Sequence, residues 1–174
     1  FRMHRGGGQG YFNVIPDLTT LGKVVGCGMT VAALAGKTEV MNKLNPIGKV
    51  VMSGTYTGYL MGVMGSLAAL NVIDRPGFYD DLNARADYFY GKLNELFVHT
   101  GLKGIVQGLG ARFGLYFGLE KPTYDYRVAA ANYDRKAAKR FFELALDKGL
   151  YFHNYGEGLT PMHSGITNAH TYQI

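Results

Sequence analysis

The segment 57–73 constrains the fold of this chain more than any other, because its apolar side chains occur on nearly every side of a helix. They are Leu60, Met61, Val63, Met64, Leu67 and Leu70. A helix without a polar face needs burial on all sides or an interface with another chain. We therefore expect 57–73 to form a helix that other elements or a second subunit cover.

The residues before this segment alternate between glycines and short apolar runs. In 1–36 this pattern predicts buried strands joined by tight loops, with the glycine-rich stretch 6–10 as one such loop. The segment 37–44 reads as a short helix that ends before Pro46.

The residues after it show helical and strand patterns in turn. Apolar residues recur at helical spacing in 78–101 and again in 132–148, where Gly149 follows as a stop signal. Between them, 105–118 predicts strands, and 150–153 predicts a returning strand.

A turn sequence, Asp-Arg-Pro-Gly at 74–77, separates these two regions. We place a domain boundary there, with 1–74 as the end of a larger α/β domain and 75–174 as a small α+β domain.

Lys23 is the first candidate for chemistry, since it is a lone cation in a segment, 16–28, of apolar runs and glycines. Apolar surroundings disfavour the charged form of an amine, and the uncharged amine can form a Schiff base with a carbonyl. The alternative is an ordinary lysine whose head reaches water.

Gly54 and Thr55 are the second candidate. Small residues let backbone N–H groups approach an anion, Thr55 supplies a hydroxyl, and a predicted helix follows whose positive end favours a phosphate. The alternative for this stretch is a helix N-cap.

Four segments together resemble one family. They read Gly-Gln-Gly-Tyr-Phe at 8–12, Asp-Leu-Thr-Thr-Leu-Gly-Lys at 17–23, Ser-Gly-Thr-Tyr-Thr-Gly at 53–58 and Asn-Ala-His-Thr at 168–171. The chain is similar to the class III pyridoxal-phosphate-dependent aminotransferases, nearest the glutamate-1-semialdehyde aminomutases and the beta-amino-acid transaminases. This resemblance implies a fold-type-I transferase of the α/β class.

The resemblance also implies roles for residues. Lys23 would form the Schiff base with pyridoxal phosphate and then act as acid and base, while Gly54 and Thr55 would hold the phosphate. Thr55 would reach the cofactor of the neighbouring subunit, which implies a homodimer with shared active sites. It further implies that the 174 residues are the C-terminal part of a longer chain, whose upstream aspartate would pair with the pyridine nitrogen.

Met162 and His163 fall where the family places its substrate pocket. The sequence here is Thr-Pro-Met-His-Ser-Gly at 160–165, whereas the aminomutases carry an acidic residue near this place. Three hypotheses therefore stay open: an aminotransferase acting on an amino donor and a keto acid or aldehyde, a glutamate-1-semialdehyde 2,1-aminomutase, and a catalytically silent assembly subunit.

Other classes of function find little support in the sequence. Cys27 is the only cysteine and the five histidines lack metal-ligand spacing, so we expect no disulfide and no metal site, and the single reduced thiol favours the cytoplasm. The net charge of +5 is spread along the chain, so we expect no nucleic-acid partner. We expect no membrane span, because no long uninterrupted apolar run occurs.

Overall fold

The computed structural model describes residues 1–26 and 28–152, and the backbone of 162–165. The chain forms two compact units, Phe1–Tyr79 and Asp80–Ile174. The division falls between Tyr79 and Asp80, slightly later than the boundary after residue 74 that the sequence suggests.

The first unit is built around a two-stranded antiparallel hairpin. Strand β1 (Leu18–Leu21) pairs with strand β2 (Ala33–Gly36), so that Leu21 lies opposite Ala33. The connection between the two strands contains a 3-10 turn, Lys23–Gly26. The helices of this unit are α1 (Gly7–Phe12), α2 (Thr38–Met41) and α3 (Leu60–Ile73).

Two predictions for this unit are wrong in detail. The stretch 6–10 is not a loop, since α1 begins at Gly7, and the left-handed Asn13 closes it by donating its backbone N–H to the Gln9 carbonyl. Helix α3 begins at Leu60 rather than at residue 57. Gly58 has a φ of +70°, which a right-handed helix cannot contain, so the helix has to begin after it.

Helix α3 buries one face and exposes most of its large apolar side chains. Gly62, Ala69 and Ile73 are buried. The exposed side chains include Leu60 (68%), Met61 (52%), Met64 (56%) and Leu67 (52%). The described residues therefore cover only one side of a helix that is apolar all round, which leaves a large apolar surface in contact with water.

The second unit packs helices on a three-stranded antiparallel sheet. Helix α4 begins at Phe78 and ends at Thr100, and it precedes strands β3 (Gly104–Leu109) and β4 (Arg112–Phe117), which form a hairpin. Strand β5 (Met162–Gly165) pairs with the other edge of β4, so the strand order is β3-β4-β5. Helices α5 (Tyr126–Asn132) and α6 (Arg135–Asp147) follow β4 in the chain.

The core of this unit lies between α4, the sheet and α6. Its buried members are Ala86, Phe89, Val106, Phe113, Leu115, Phe117 and Ala138. The rings of Phe89 and Phe113 meet edge to face, with centroids 5.0 Å apart, a favoured arrangement for aromatic pairs. The predicted helix over 78–101 and the predicted strands over 105–118 are thus confirmed, because their apolar spacing matches the buried faces.

The rest of the second unit matches its prediction in part. Helix α6 confirms the helix predicted over 132–148, but it begins at Arg135, because the Asp134 carboxylate caps it by accepting a hydrogen bond from the Ala137 N–H. The short helix α5 before it was not predicted. Gly149 has a φ of +78°, as expected for a residue that ends a helix. Residues 151–152 lie outside any strand, so the predicted strand over 150–153 is wrong in its described part, and His153 lies outside the described residues.

Candidate functional site

Lys23 occupies an unusual backbone position. It is the first residue of the 3-10 turn in the β1–β2 connection, and its φ is +54°. Among the described residues only Asn13 shares a positive φ without being a glycine, and asparagine adopts that conformation far more readily. Such a conformation costs about 1–3 kcal/mol and persists where the surrounding structure enforces it, often at functional sites.

The solvent exposure of Lys23 corrects one expectation. The side chain is exposed, whereas its apolar neighbour Val25 is buried with 7% of its surface accessible. Val25 turns into the unit, whereas the Lys23 side chain stays in contact with water. The expectation that apolar neighbours surround this amine is therefore wrong for the described part of the chain.

The strand that leads to Lys23 is fixed at its start. The Lys37 Nζ lies 2.6 Å from the Asp17 Oδ1, and the Lys37 N–H donates to the Asp17 carbonyl at 3.0 Å. On β1 itself, the Thr19 hydroxyl donates to the Gln9 Oε1 at 2.6 Å. These contacts were not predicted from the sequence. The one feature that pointed to them was the pair of opposite charges, Asp17 and Lys37, that flanks two short apolar runs.

Helix α3 packs directly against the lysine turn. A Cβ placed at Gly62 would lie 3.0 Å from the Val31 Cβ, and one placed at Gly65 would lie 2.7 Å from the Gly26 carbonyl oxygen. Gly65 lets the helix approach the β1–β2 connection more closely than a residue with a side chain would allow, and Gly62 makes a milder close contact there.

Gly54 and Thr55 lie in an exposed segment ahead of α3. The Thr57 N–H donates to the Gly54 carbonyl at 3.0 Å, and Thr55 is the first residue of the turn that follows. Since α3 begins only at Leu60, Thr55 lies outside its first turn, and the helix dipole gives this hydroxyl little help with an anion. The N-cap alternative is also wrong, because Tyr59 occupies the cap position and provides no side-chain cap.

Within the described ranges, no hydrogen bond or ion pair joins Lys23 to Thr55. Helix α3 nevertheless connects the two candidates, because it packs on the Lys23 turn and directly follows the Thr55 segment.

A cavity of about 540 Å³ borders the same strand. It is an open groove between the glycine-rich start of α1 and β1, and it extends to Gly22, the residue before Lys23. The Gln9 amide and the hydroxyls of Thr19 and Thr20 supply polar atoms along it. This groove was not predicted from the sequence, because residues 6–10 were interpreted as a loop.

The remaining candidates lie in the second unit or outside the description. In the sheet, Met162 pairs with Leu115 and His163 pairs with Gly114. Of Met162 and His163 the structure describes the backbone alone. Cys27 and the segment 168–171 lie outside the described residues.

Three tyrosines of the second unit have perturbed acidities. Burial, together with the nearby Asp87 carboxylate, raises the pKa of Tyr90 to about 12, and its hydroxyl donates to the Gly110 carbonyl. Burial likewise raises the pKa values of Tyr116 and Tyr133. At neutral pH these phenols stay protonated and act as hydrogen-bond donors rather than as bases.

The described ranges hold neither a candidate metal centre nor a candidate membrane span. They contain no group of three or more histidine, cysteine, aspartate or glutamate side chains placed to hold a metal ion. They also contain no helix with the length and apolar character that crossing a membrane requires.

Comparison with known proteins gives close relatives by sequence. The chain is 40% identical over 151 residues to the glutamate-1-semialdehyde 2,1-aminomutase of Polynucleobacter asymbioticus, which covers 87% of this chain and 34% of that protein. It is 35% identical over 175 residues to the enzyme of the same name from Neisseria meningitidis serogroup C, covering 100% of this chain and 39% of that one. The chain thus spans well under half the length of these relatives.

Solved structures agree on the fold. An omega-transaminase from Sphaerobacter thermophilus superposes with a TM-score of 0.80 at 26% identity, covering 98% of this chain and 40% of that one. A beta-phenylalanine aminotransferase from Variovorax paradoxus gives a TM-score of 0.80 at 25% identity, covering 99% and 39%. The chain therefore has the fold-type-I architecture of the pyridoxal-phosphate-dependent transferases, and the predicted fold class is confirmed.

The family description that matches the sequence, aminotransferase class-III, covers residues 7–170, which is nearly the whole chain. Together with relatives at 35% to 40% identity, this match means that the chain belongs to the class III aminotransferase family.

Proposed function

We propose that the protein containing this chain is a pyridoxal-phosphate-dependent aminotransferase and that Lys23 holds the cofactor. The observation that carries the proposal is the conformation of Lys23, an exposed lysine with a φ of +54° at the start of a turn between two paired strands. Membership of the class III family gives this lysine its chemical meaning.

The residues present fit part of such a site. A cofactor with an aldehyde needs an accessible amine, and Lys23 is exposed and makes no ion pair with another described residue. A phosphate needs donors without bulky neighbours, and Thr55 offers an exposed hydroxyl beside Gly54. The carboxylate that would pair with the pyridine nitrogen is an expectation from the family rather than a residue of the described chain.

Pyridoxal phosphate, when bound, supplies an electron sink that stabilises negative charge on the carbon next to the amino group. The work left to the protein is to bind, to orient and to move protons. Lys23 would bind the aldehyde through its Nζ, and in the released state the same Nζ would carry a proton to or from the substrate carbon. The Asp17–Lys37 ion pair and the backbone hydrogen bond between the same residues would help to hold together the hairpin that carries Lys23.

The exposed face of α3 supports a homodimer. Met61, Met64 and Leu67 are each more than half exposed, although their chemistry favours burial. A second copy of the protein would cover this face, and the Thr55 segment that precedes α3 would then lie at the interface. We therefore propose that Thr55 binds the phosphate at the neighbouring subunit's site, together with Gly54.

A second candidate activity is an intramolecular amino transfer. The curated relatives at 35% to 40% identity are named glutamate-1-semialdehyde 2,1-aminomutases, which favours this activity. The sequence at Met162 and His163, which we propose faces the substrate, lacks the acidic residue expected there and favours a different substrate. A third reading, a silent assembly subunit, is disfavoured by the intact Lys23 and Thr55.

In this proposal each of the two units corresponds to a domain of the enzyme. The first unit would be the C-terminal part of the large cofactor-binding domain, and the second unit would be the small domain. A single cysteine in 174 residues suits a reducing compartment, so we propose the cytoplasm.

Product analysis of the full-length protein tests the activity. An aminotransferase releases a free keto acid or aldehyde from the amino donor, whereas an aminomutase returns an isomer of its substrate with none of the keto product released. Lys23→Ala abolishes both activities if the proposal is right. Turnover by Lys23→Ala at the rate of the parent enzyme would contradict it, and a parent protein that binds the cofactor without any turnover would favour the silent subunit.

A further inference from the structure

Gly65 of α3 lies against the backbone of the lysine turn. A Cβ at this position would lie 2.7 Å from the Gly26 carbonyl oxygen and 2.8 Å from the Met29 Cγ. Real Cβ atoms do not approach other atoms so closely, and the oxygen belongs to the backbone, so it cannot rotate away as a flexible side chain would. A side chain at residue 65 would have to move either α3 or the turn.

The Gly26 carbonyl is part of the structure that holds Lys23. Gly26 ends the 3-10 turn that Lys23 begins, and its carbonyl accepts a hydrogen bond from the Met29 N–H at 2.9 Å. A shift of this oxygen therefore shifts the turn as a unit. Gly62 makes a milder contact further along the same connection, where a Cβ would lie 3.0 Å from the Val31 Cβ.

The conformation of Lys23 requires support of this kind. A left-handed lysine is unfavourable by itself and persists only where packing enforces it. Val25 and Gly26, at the other end of the turn, are buried, and α3 is the helix that packs against this turn. The contact at Gly65 is the closest approach that α3 makes to the turn among its glycines.

We propose that Gly65 is a positioning residue for the cofactor lysine. Because Gly65 has no side chain, α3 lies directly against the Gly26 carbonyl. The distance between the helix and the turn then determines where the Lys23 Nζ lies. This inference rests on the proposed role of Lys23.

Gly65→Ala and Gly91→Ala in the full-length, cofactor-loaded enzyme make a matched pair. Both replace a glycine inside a helix by alanine, which favours the helix at each place. A Cβ at Gly91 would meet nothing within 4 Å, so Gly91→Ala changes helix propensity alone. The comparison isolates the contact with the lysine turn.

The readouts are the pH titration of the absorption band of the bound cofactor, the rate of borohydride labelling of Lys23, and kcat and KM. Misplacement of a reacting group by about 1 Å costs up to about 100-fold in rate. We expect Gly65→Ala to shift the titration midpoint, slow the labelling and lower kcat by about 10- to 100-fold, with a smaller change in KM. Gly91→Ala should match the parent enzyme in all of these.

A Gly65→Ala variant that keeps the titration midpoint, the labelling rate and kcat of the parent would overturn the inference. If Gly65→Ala does not fold, Gly62→Ala decides: its milder contact should give a smaller shift of the titration midpoint and of kcat in the same direction, and no shift would overturn the inference. Failure of the proposed function looks different, because the parent enzyme itself would then carry no label on Lys23.

Discussion

At the level of single residues, the proposed site depends on Lys23 and Thr55, and the roles of both stay predictions. The lysine stood out because a lone cation between glycines and apolar runs is rare. The left-handed backbone conformation of Lys23 accounts for this unusual local sequence. Its exposure could not be read from the neighbours in sequence, because burial of Val24 or Val25 is decided by packing against α3. A local sequence pattern can thus single out an unusual residue, but it does not predict how exposed the side chain of that residue is.

Thr55→Val tests the proposed phosphate contact. The change removes the hydroxyl and keeps the size, so the full-length enzyme should bind pyridoxal phosphate about tenfold or more weakly, because a hydrogen bond to a charged group contributes about 1.5–3 kcal/mol. Equilibrium titration with the cofactor measures this loss, and sedimentation should show an unchanged oligomeric state.

Thr55→Ser is the control for that substitution, because it keeps a hydroxyl at the same place. It should bind the cofactor nearly as tightly as the parent does. If Thr55→Val also binds as tightly as the parent, Thr55 has no role at the phosphate.

At the scale of helices and strands, regular segments were predictable and their ends were not. The pattern over 78–101 identified α4, because the spacing of its apolar residues matches one buried face. The start of α3 was missed by a few residues because Gly58 takes a positive φ, and α5 was missed because Asp125 and Asp134 cap two short helices in succession. These boundaries depend on backbone conformation and capping hydrogen bonds rather than on hydrophobic period.

Tyr90 gives a pH-dependent prediction for the packing of α4 against the β3–β4 hairpin. Its pKa is raised from 10.0 to about 12 in the folded protein, so above pH 10 the unfolded state loses a proton that the folded state keeps. This contribution to stability is fully present below pH 10 and is lost as the pH rises towards about 12.

Urea denaturation of the full-length protein at pH 9 and pH 11.5 measures the effect. Tyr90→Phe should reduce the loss of stability between these two values, while Tyr88→Phe, at an exposed position of the same helix, should retain it. An equal loss in the parent and in Tyr90→Phe would show that Tyr90 is not the group responsible.

At the level of the whole molecule, the exposed apolar face of α3 is the feature that packing among the described residues leaves unexplained. The sequence predicted a helix that needs cover on all sides, and the described residues cover one side. The partner could not be predicted from the helix itself, because hydrophobic burial has no direction and a second copy or further chain would satisfy it equally.

Met64→Asp tests the proposal that a second copy covers this face. A charge buried at an interface without a partner is strongly destabilising, so the full-length protein should become largely monomeric and should bind pyridoxal phosphate more weakly. Analytical ultracentrifugation measures the first effect and cofactor titration the second. Leu96→Asp is the control, since Leu96 of α4 has a similar exposure, 52% against 56%, and should leave the dimer intact. A Met64→Asp protein that remains dimeric would place the interface elsewhere.

Reductive labelling shows directly whether Lys23 is the residue that holds the cofactor. The full-length protein is loaded with pyridoxal phosphate, reduced with borohydride and digested, and the labelled peptide is sequenced by mass spectrometry. We predict a single covalent adduct on Lys23, absent from Lys23→Ala. An adduct on another lysine, such as Lys37 at the start of the same hairpin, would contradict the account.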